Sequence, residues 1–154
     1  MKDQRRGRRI AMTSAELDTF LAEEQTCRLA TLGSTGQPQT SALWFVWDGT
    51  HIWINSVVKS QRWTNATRDD RVSLVVDAGD SFGDLRGATI EGAAEPVGEV
   101  PRTGESDDTL APVELAFARK YMGRDEFVYD GRHAWLRITP TKIASWDFRK
   151  YGTH

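Results

Sequence analysis

Short apolar runs, each broken by turn-forming residues, set the organisation of the chain. The run "CRLATL" stops at "GSTGQP", whose Gly and Pro mark a turn, and "QTSALWFVW" follows as a second strand. Asp48-Gly49, the strongest short hairpin signal in the chain, leads into "HIWINSVV". These three runs predict a meander of three antiparallel strands. After Val58 the pattern changes. "SQRWTNATRDD" has the spacing of about two helical turns, with Trp63 facing inward. "RVSLVVDAG" and "ATIEGAAEPV" predict a fourth and a fifth strand around the polar, Gly-containing loop "DSFGDLRG". "HAWLRITPTKIASWDF" predicts two short strands divided by a turn at Thr139-Pro140.

Two further segments have helical spacing. Thr13 and Glu16 have the separation of a capping box, and Leu17, Phe20 and Leu21 form one apolar stripe, which predicts a helix over about residues 14–24. In "LAPVELAFARKYM", Val113, Phe117 and Tyr121 recur every four residues, and Pro112 suits a first turn. "PRTGESDDT" has the composition of an exposed loop. The sum is a mainly β chain: six or seven antiparallel strands joined by hairpins, closing into a small barrel flanked by short helices. Closure would remove the sheet edges. No repeat or linker divides the chain, so residues 10–154 are expected to form one domain.

Residues 1–9 differ. Lys2, Arg5, Arg6, Arg8 and Arg9 stand against Asp3 alone, which fits either a solvated tail or an arm for a polyanion. Over the full 154 residues the formal net charge is -2, so bulk electrostatics do not make this a nucleic-acid binder. No apolar run approaches the roughly 20 residues of a membrane helix, and no apolar segment follows the basic start as in a secretory signal. A soluble, cytoplasmic protein without a membrane or nucleic-acid partner is expected.

Several chemistries lack support. There is no Gly-x-Gly-x-x-Gly and no Walker loop. Cys27 is the single cysteine, which excludes an intramolecular disulfide and a Cys-rich zinc site, and its apolar strand suits a buried thiol. His51, His133 and His154 are scattered, and no metal site is expected. No serine sits in a nucleophile elbow. The paired acids Asp69-Asp70 and Asp107-Asp108 fall in turn-like contexts.

One stretch does carry a signal. In "INSVVKSQRWTNATRDDRVSLVV" an apolar strand ends, and Lys59, Ser60 and Arg62 gather where a helix begins. A phosphate needs converging donors: Lys gives a point charge, Arg a planar fork, Ser a hydroxyl. A helix start adds free N–H groups and a favourable dipole. The same features also fit a solvated helix end.

Four features taken together resemble the split β-barrel superfamily of pyridoxamine-5'-phosphate-oxidase-like flavoproteins. They are the Ala-Thr-Leu strand with its Gly-x-Pro turn, the Lys59, Ser60, Arg62, Asn65 segment, the stretch from Asp84 to Gly87, and Ser145 to Lys150. The likeness spans about residues 10–152 and is greatest to the branch that uses the deazaflavin coenzyme F420. It implies an oxidoreductase that passes hydride from reduced F420 to an electron-poor enone, quinone or tetrapyrrole. FMN chemistry on the same barrel, or a non-catalytic F420 carrier, stands as the alternative. The resemblance also implies a homodimer with cofactor sites at the interface. Lys59, Ser60, Arg62 and Asn65 would grip the phosphate. Ala30, Thr31, Ser41, Leu43 and Trp44 would line the ring, and Trp146, Arg149 and Lys150 would reach toward the partner's site. The basic arm would suit the oligoglutamate tail of F420. Trp44, Trp47 and Trp53 read either as ring walls or as core. No acid stands out as a proton donor; Tyr121, Tyr129 and Tyr151 are candidates.

Overall fold

In a computed structural model, residues 1–152 are described; Thr153 and His154 lie outside them. One antiparallel sheet of seven strands, curled into a half-barrel, carries the fold. The strands are β1 (Thr26–Leu32), β2 (Pro38–Trp44), β3 (Val46–Trp47), β4 (Ile52–Val57), β5 (Arg71–Ala78), β6 (Arg86–Val97) and β7 (His133–Asp147). Their order is β2-β1-β5-β6-β7-β4-β3. Three short helices flank the sheet: α1 (Ser14–Glu23), α2 (Gln61–Arg68) and α3 (Ala111–Phe117). Among the described residues no helix is long and apolar enough to cross a membrane.

The predicted three-strand meander is corrected. "QTSALWFVW" is not one strand: β2 and β3 are separated by Phe45 and lie at opposite ends of the strand order. β2 pairs only with β1, and β3 with β4. The two sheet ends are therefore adjacent in sequence, and the sheet must curl to let one residue join them. Closure is incomplete, because β2 and β4 are not ladder neighbours. The break is pinned from outside. The Tyr121 hydroxyl accepts the Phe45 N–H at 3.0 Å and lies 2.8 Å from the Phe45 carbonyl, to which Lys120 also donates. Tyr121 belongs to a π-helical turn, Ala118–Met122, that continues α3.

Phe45 and Val46 point to opposite sides of the sheet, and each side has its own core. Inside the curl, Phe45, Ile54, Leu74, Ile90 and Leu136 pack with Phe20 and Leu21 of α1 and Trp63 and Ala66 of α2. Full burial of an aliphatic or phenyl side chain contributes about 1.5–3 kcal/mol, so this interior dominates stability. Outside, Val46, Trp53 and Trp135 pack under Leu110, Val113 and Phe117. The predicted helical stripe of Val113 and Phe117 thus faces the outer side of the sheet.

The predicted turn at Thr139-Pro140 is also corrected: β7 runs unbroken for 15 residues. The irregularity is a bulge, with Glu91 opposite Lys142 and Gly92 opposite Pro140, leaving Thr141 extra. Proline lacks an N–H and is tolerated at such a bulge. Gly92 is required there, since a Cβ would come within 2.5 Å of the Thr139 carbonyl oxygen.

β4 reaches only as far as Ile138 along β7, so the later half of β7 has an open edge. The basic arm covers it. Lys2 N–H donates to the Thr141 carbonyl at 2.9 Å. The Gln4 amide donates to the Ser145 carbonyl and accepts the Ser145 N–H, as a strand residue would. The arm is a docked segment, with Lys2, Arg5, Arg6, Arg8 and Lys142 around a cavity of about 750 Å³.

Candidate functional site

Where β2 leaves the barrel, a groove of about 520 Å³ opens between β2, β4 and α3. The loop that precedes β7, residues 123–132, forms its far rim. Its volume lies within the range of small-ligand sites, roughly 300–1,000 Å³. Leu43, Trp44, Phe117 and Phe127 give it flat apolar walls. Trp44 is 49% exposed and stacks on Tyr121 with centroids 4.5 Å apart, so the indole face is fixed while its outer side stays open.

The polar groups on the floor come from β4 and β7. Trp53, Asn55 and Val57 lie on the outer face of β4, opposite Arg137, Trp135 and His133 of β7. Asn55 Nδ2 is buried and has no hydrogen-bond partner among the described residues. A buried donor left unpaired costs about 1–3 kcal/mol, so this amide is poised for an acceptor on a ligand. His133 sits on the adjacent strand. Its Nδ1 lies 2.6 Å from Asp130 Oδ2, and its Nε2 has no partner among the described residues.

Two arginines reach the groove. Arg62, in the first turn of α2, donates from Nε to the Ser56 hydroxyl at 3.0 Å. Neither it nor Lys59 has a carboxylate partner among the described residues. Burial lowers the Arg62 pKa from its ordinary range, a sign of partial desolvation without a compensating anion. Arg102, in contrast, is buried against Glu114, with 2.7 Å between Nη2 and Oε1, and also bonds Glu99. The hydrogen bond to Glu114 raises its pKa. The same Glu114 accepts from Tyr129 and from the Trp135 indole, which ties the far rim to α3.

The remaining candidates from the sequence fall into distinct places. Ser60 is the N-cap of α2; its hydroxyl accepts the Trp63 N–H and lies 3.4 Å from Ser56 Oγ. Asn65 is fully buried. Its amide donates to Thr31 and Gln39 and accepts from Gln61 and Arg68, so its side chain knits α2 to β1 and β2. Thr31 is buried in that network. Ala30 pairs with Thr40 and Ser73, and Ser41 with Leu29, away from the groove lining. Leu43 and Trp44 do line it. Trp146 lies over Gly87, where a Cβ would come within 2.5 Å of the indole. Arg149 forms a two-pronged pair with Asp147, and Lys150 bonds the Ala11 carbonyl and Glu16. These three are not among the groove-lining residues of their own protomer. Of the tyrosines, Tyr129 lines the groove, Tyr121 backs Trp44, and Tyr151 packs on Phe148 at the C-terminal turn. Trp53 is core, and Trp47 donates its indole N–H to Asp18.

Sequence reading missed Asn55, Arg102, and the pair Asp130 and His133. The Asp-x-x-His spacing was visible. What was not visible is the turn that folds the carboxylate back onto the ring: Asp130 Oδ1 also accepts the N–H groups of Arg132 and His133. No group of three or more metal-ligating side chains occurs among the described residues.

These groups fit a flat ring carrying a phosphate: apolar walls, an unpaired amide on the floor, and two unpaired cations at a helix start. A crystal structure of a conserved hypothetical protein from Mycobacterium tuberculosis is 33% identical, with a TM-score of 0.80 over 99% of this chain and 94% of that one. An F420 reductase is 22% identical, with a TM-score of 0.62 over 82% of this chain and 94% of that one. An FAD-binding protein from Mesorhizobium loti is 18% identical, with a TM-score of 0.66 over 88% and 93%. The last two likenesses are of fold alone. No curated protein matches. The family model described as pyridoxamine 5'-phosphate oxidase matches residues 13–147, nearly the whole of the folded domain, so the chain belongs to the pyridoxamine 5'-phosphate oxidase family, with its half-barrel fold.

Proposed function

We propose that this protein is an oxidoreductase that binds coenzyme F420 in the groove between β2 and β4 and reduces an electron-poor enone, quinone or tetrapyrrole. The observation that carries the reading is the pair of cations, Lys59 and Arg62, left without a carboxylate beside a groove whose floor holds the unpaired Asn55 amide. When bound, reduced F420 supplies a hydride and takes no part in easy one-electron chemistry. The chain does the rest. Arg62 and Lys59 hold the phosphate, with the free N–H groups at the start of α2 assisting. Trp44 and Phe117 support the ring, and Asn55 orients it by donating to a ring carbonyl. The apolar walls exclude water from the reacting face.

The working form is a homodimer. Trp44, Met122, Val128 and Tyr129 are large, exposed and gathered around the groove, the kind of apolar rim that a second copy covers. The C-terminal Trp146, Arg149 and Lys150 would meet the partner's groove in that assembly. The basic arm lies along β7 and none of its residues lines the groove, so a contact with the oligoglutamate tail of F420 also requires the partner.

FMN is the second reading, favoured by the FAD-binding relative of the same fold. The test is a fluorescence titration with F420 and, separately, FMN. Micromolar or tighter saturation by F420 alone is the expected result. Saturation by FMN alone moves the protein to flavin chemistry. Binding of F420 without reduction of any acceptor leaves it a carrier.

A further inference from the structure

The cofactor reading leaves one requirement of the reaction unmet. Hydride addition to an activated alkene or quinone must be followed by a proton, and none of the three candidate tyrosines is an apt donor. Tyr121 is held in the backbone bonds around Phe45, and Tyr129 donates to Glu114. Tyr151 is at the opposite end of β7, in the C-terminal turn after Asp147. The groove contains a better group.

We propose that Asp130 and His133 form a proton-delivering pair, with His133 Nε2 facing the groove as the donor to a carbonyl-conjugated acceptor. This rests on the cofactor reading above. Three observations carry it. First, both residues line the groove. Second, the ring is oriented: Nδ1 lies 2.6 Å from Asp130, which leaves Nε2 as the one free nitrogen. Third, His133 and Asn55 lie on the same face of adjacent strands, one pair apart in the β4–β7 ladder. Such diagonal neighbours stand roughly 7–8 Å apart. The cofactor ring that Asn55 would orient therefore lies beside His133, and an acceptor stacked on that ring comes within reach of the free imidazole nitrogen.

Asp130 is built to stay ionised. Burial pushes its carboxyl up, but the Arg132 N–H, the His133 ring and the His133 N–H outweigh that and hold it below the usual carboxylate range. An ionised Asp130 accepts from the ring at Nδ1 and so fixes its orientation. Arg62 from α2 has no carboxylate, whereas Arg102 is neutralised by Glu114 and Glu99. β4 contributes only the neutral Asn55 there.

The step balances as follows. The β-carbon of the acceptor gains a C–H bond with the electron pair of a hydride from the reduced deazaflavin. The acceptor's π pair moves onto its carbonyl oxygen. The Nε2–H bond of His133 then breaks, and its proton goes to that oxygen or to the α-carbon. The acceptor is reduced by two electrons, the deazaflavin is oxidised by the same two, and solvent returns a proton to His133.

The test uses the full-length protein with His133→Gln and Asp130→Asn, reduced F420 as donor and 2-cyclohexenone as acceptor probe. Nitrogen NMR of the imidazole without cofactor is the second readout. We expect His133→Gln to keep its melting temperature and F420 affinity within about twofold. It should lose about 100-fold or more in turnover, together with the fall in rate at high pH, in the range typical of a lost general acid. Asp130→Asn should lose less and should move the neutral ring's proton from Nδ1 toward Nε2. Wild-type turnover and pH dependence in His133→Gln, with F420 still bound, overturns the proton role alone. Failure of the wild-type protein to bind F420 or FMN overturns the cofactor reading and the proton role with it. An NMR spectrum showing Nε2–H in the neutral ring, with no change in Asp130→Asn, overturns the pairing whatever the cofactor.

Discussion

Two walls of the same groove carry an arginine each, and the two are held in opposite ways. On the α3 wall, Arg102 meets Glu114, Glu99 and the Glu105 carbonyl, and Glu114 binds Tyr129 and Trp135 besides. On the α2 wall, Arg62 has one hydroxyl and no anion. Arg102 is buried and Arg62 partly so, and both guanidiniums have lost some hydration. Only Arg102 has recovered it from protein groups. A buried cation with its carboxylate holds structure together, while a desolvated cation without one is a vacancy for an anion. The C-terminal turn extends the contrast: Arg149 and Lys150 have carboxylates at 2.7 and 2.6 Å.

The largest effect should come from breaking the satisfied wall. Glu114→Ala leaves Arg102 buried without its main partner, and unfolding in urea should show a loss of about 3–5 kcal/mol. The unsatisfied wall should behave in reverse. Arg62→Ala and Lys59→Ala should each weaken cofactor binding about tenfold or more in a fluorescence titration, since a bond to a charged group contributes roughly 1.5–3 kcal/mol. Their stability should stay within about 0.5 kcal/mol of wild type. Unchanged affinity in both variants would remove the phosphate site from α2.

Asn55→Leu sharpens the same point with a neutral group. Removing an unpaired buried amide should raise the stability of the cofactor-free protein by about 1 kcal/mol while weakening cofactor binding. A drop in stability instead would mean that the amide has a partner in solution. Arg149→Ala should change stability by only about 0–1 kcal/mol, as for exposed pairs, and affinity by no more than about twofold. A larger loss of affinity would place the C-terminal turn in the partner's groove.

Much of this was legible in the chain. Thr13 and Glu16 form the predicted reciprocal cap, and Ser60 caps α2 where the apolar run stops. Such signals are local, made by residues three or four apart. The missed features are all settled by distant partners. Nothing near Phe45 announces a change of sheet end, because "LWFVW" is apolar throughout and the break is held by Tyr121, 76 residues on. Pro140 reads as a turn unless the bulge opposite Glu91 and Gly92 is known. Asn65 follows Lys59, Ser60 and Arg62 in sequence, and only the fold shows its amide spanning Thr31 and Gln39. The groove itself exists only because β2 and β4, nearly consecutive strands, fail to pair.

A last prediction concerns alkaline pH, which should act through three buried groups, a thiol foremost. Burial pushes the Cys27 pKa from its ordinary 9.0 up to about 12. In the unfolded chain the thiol ionises near its ordinary value, so its contribution is fully present below pH 9 and is lost as pH rises toward 12. Tyr121, also raised to about 12, acts in the same direction. Lys120, lowered to about 8 by burial, acts against them, favouring the folded state as pH rises from 8 toward its ordinary 10.5. Cys27→Ala should therefore flatten the alkaline decline in urea midpoints without abolishing it.

The docked arm also fixes an order of events in the life of the chain. Lys2 and Gln4 leave the ribosome well before their partners Thr141 and Ser145. At about 5–20 residues per second, the segment that guards the open edge of β7 waits seconds for an edge to guard. Until then it is a loose, strongly cationic segment. A fusion partner at the amino end would hinder that late docking, while one at the carboxyl end would leave the arm free to close the sheet.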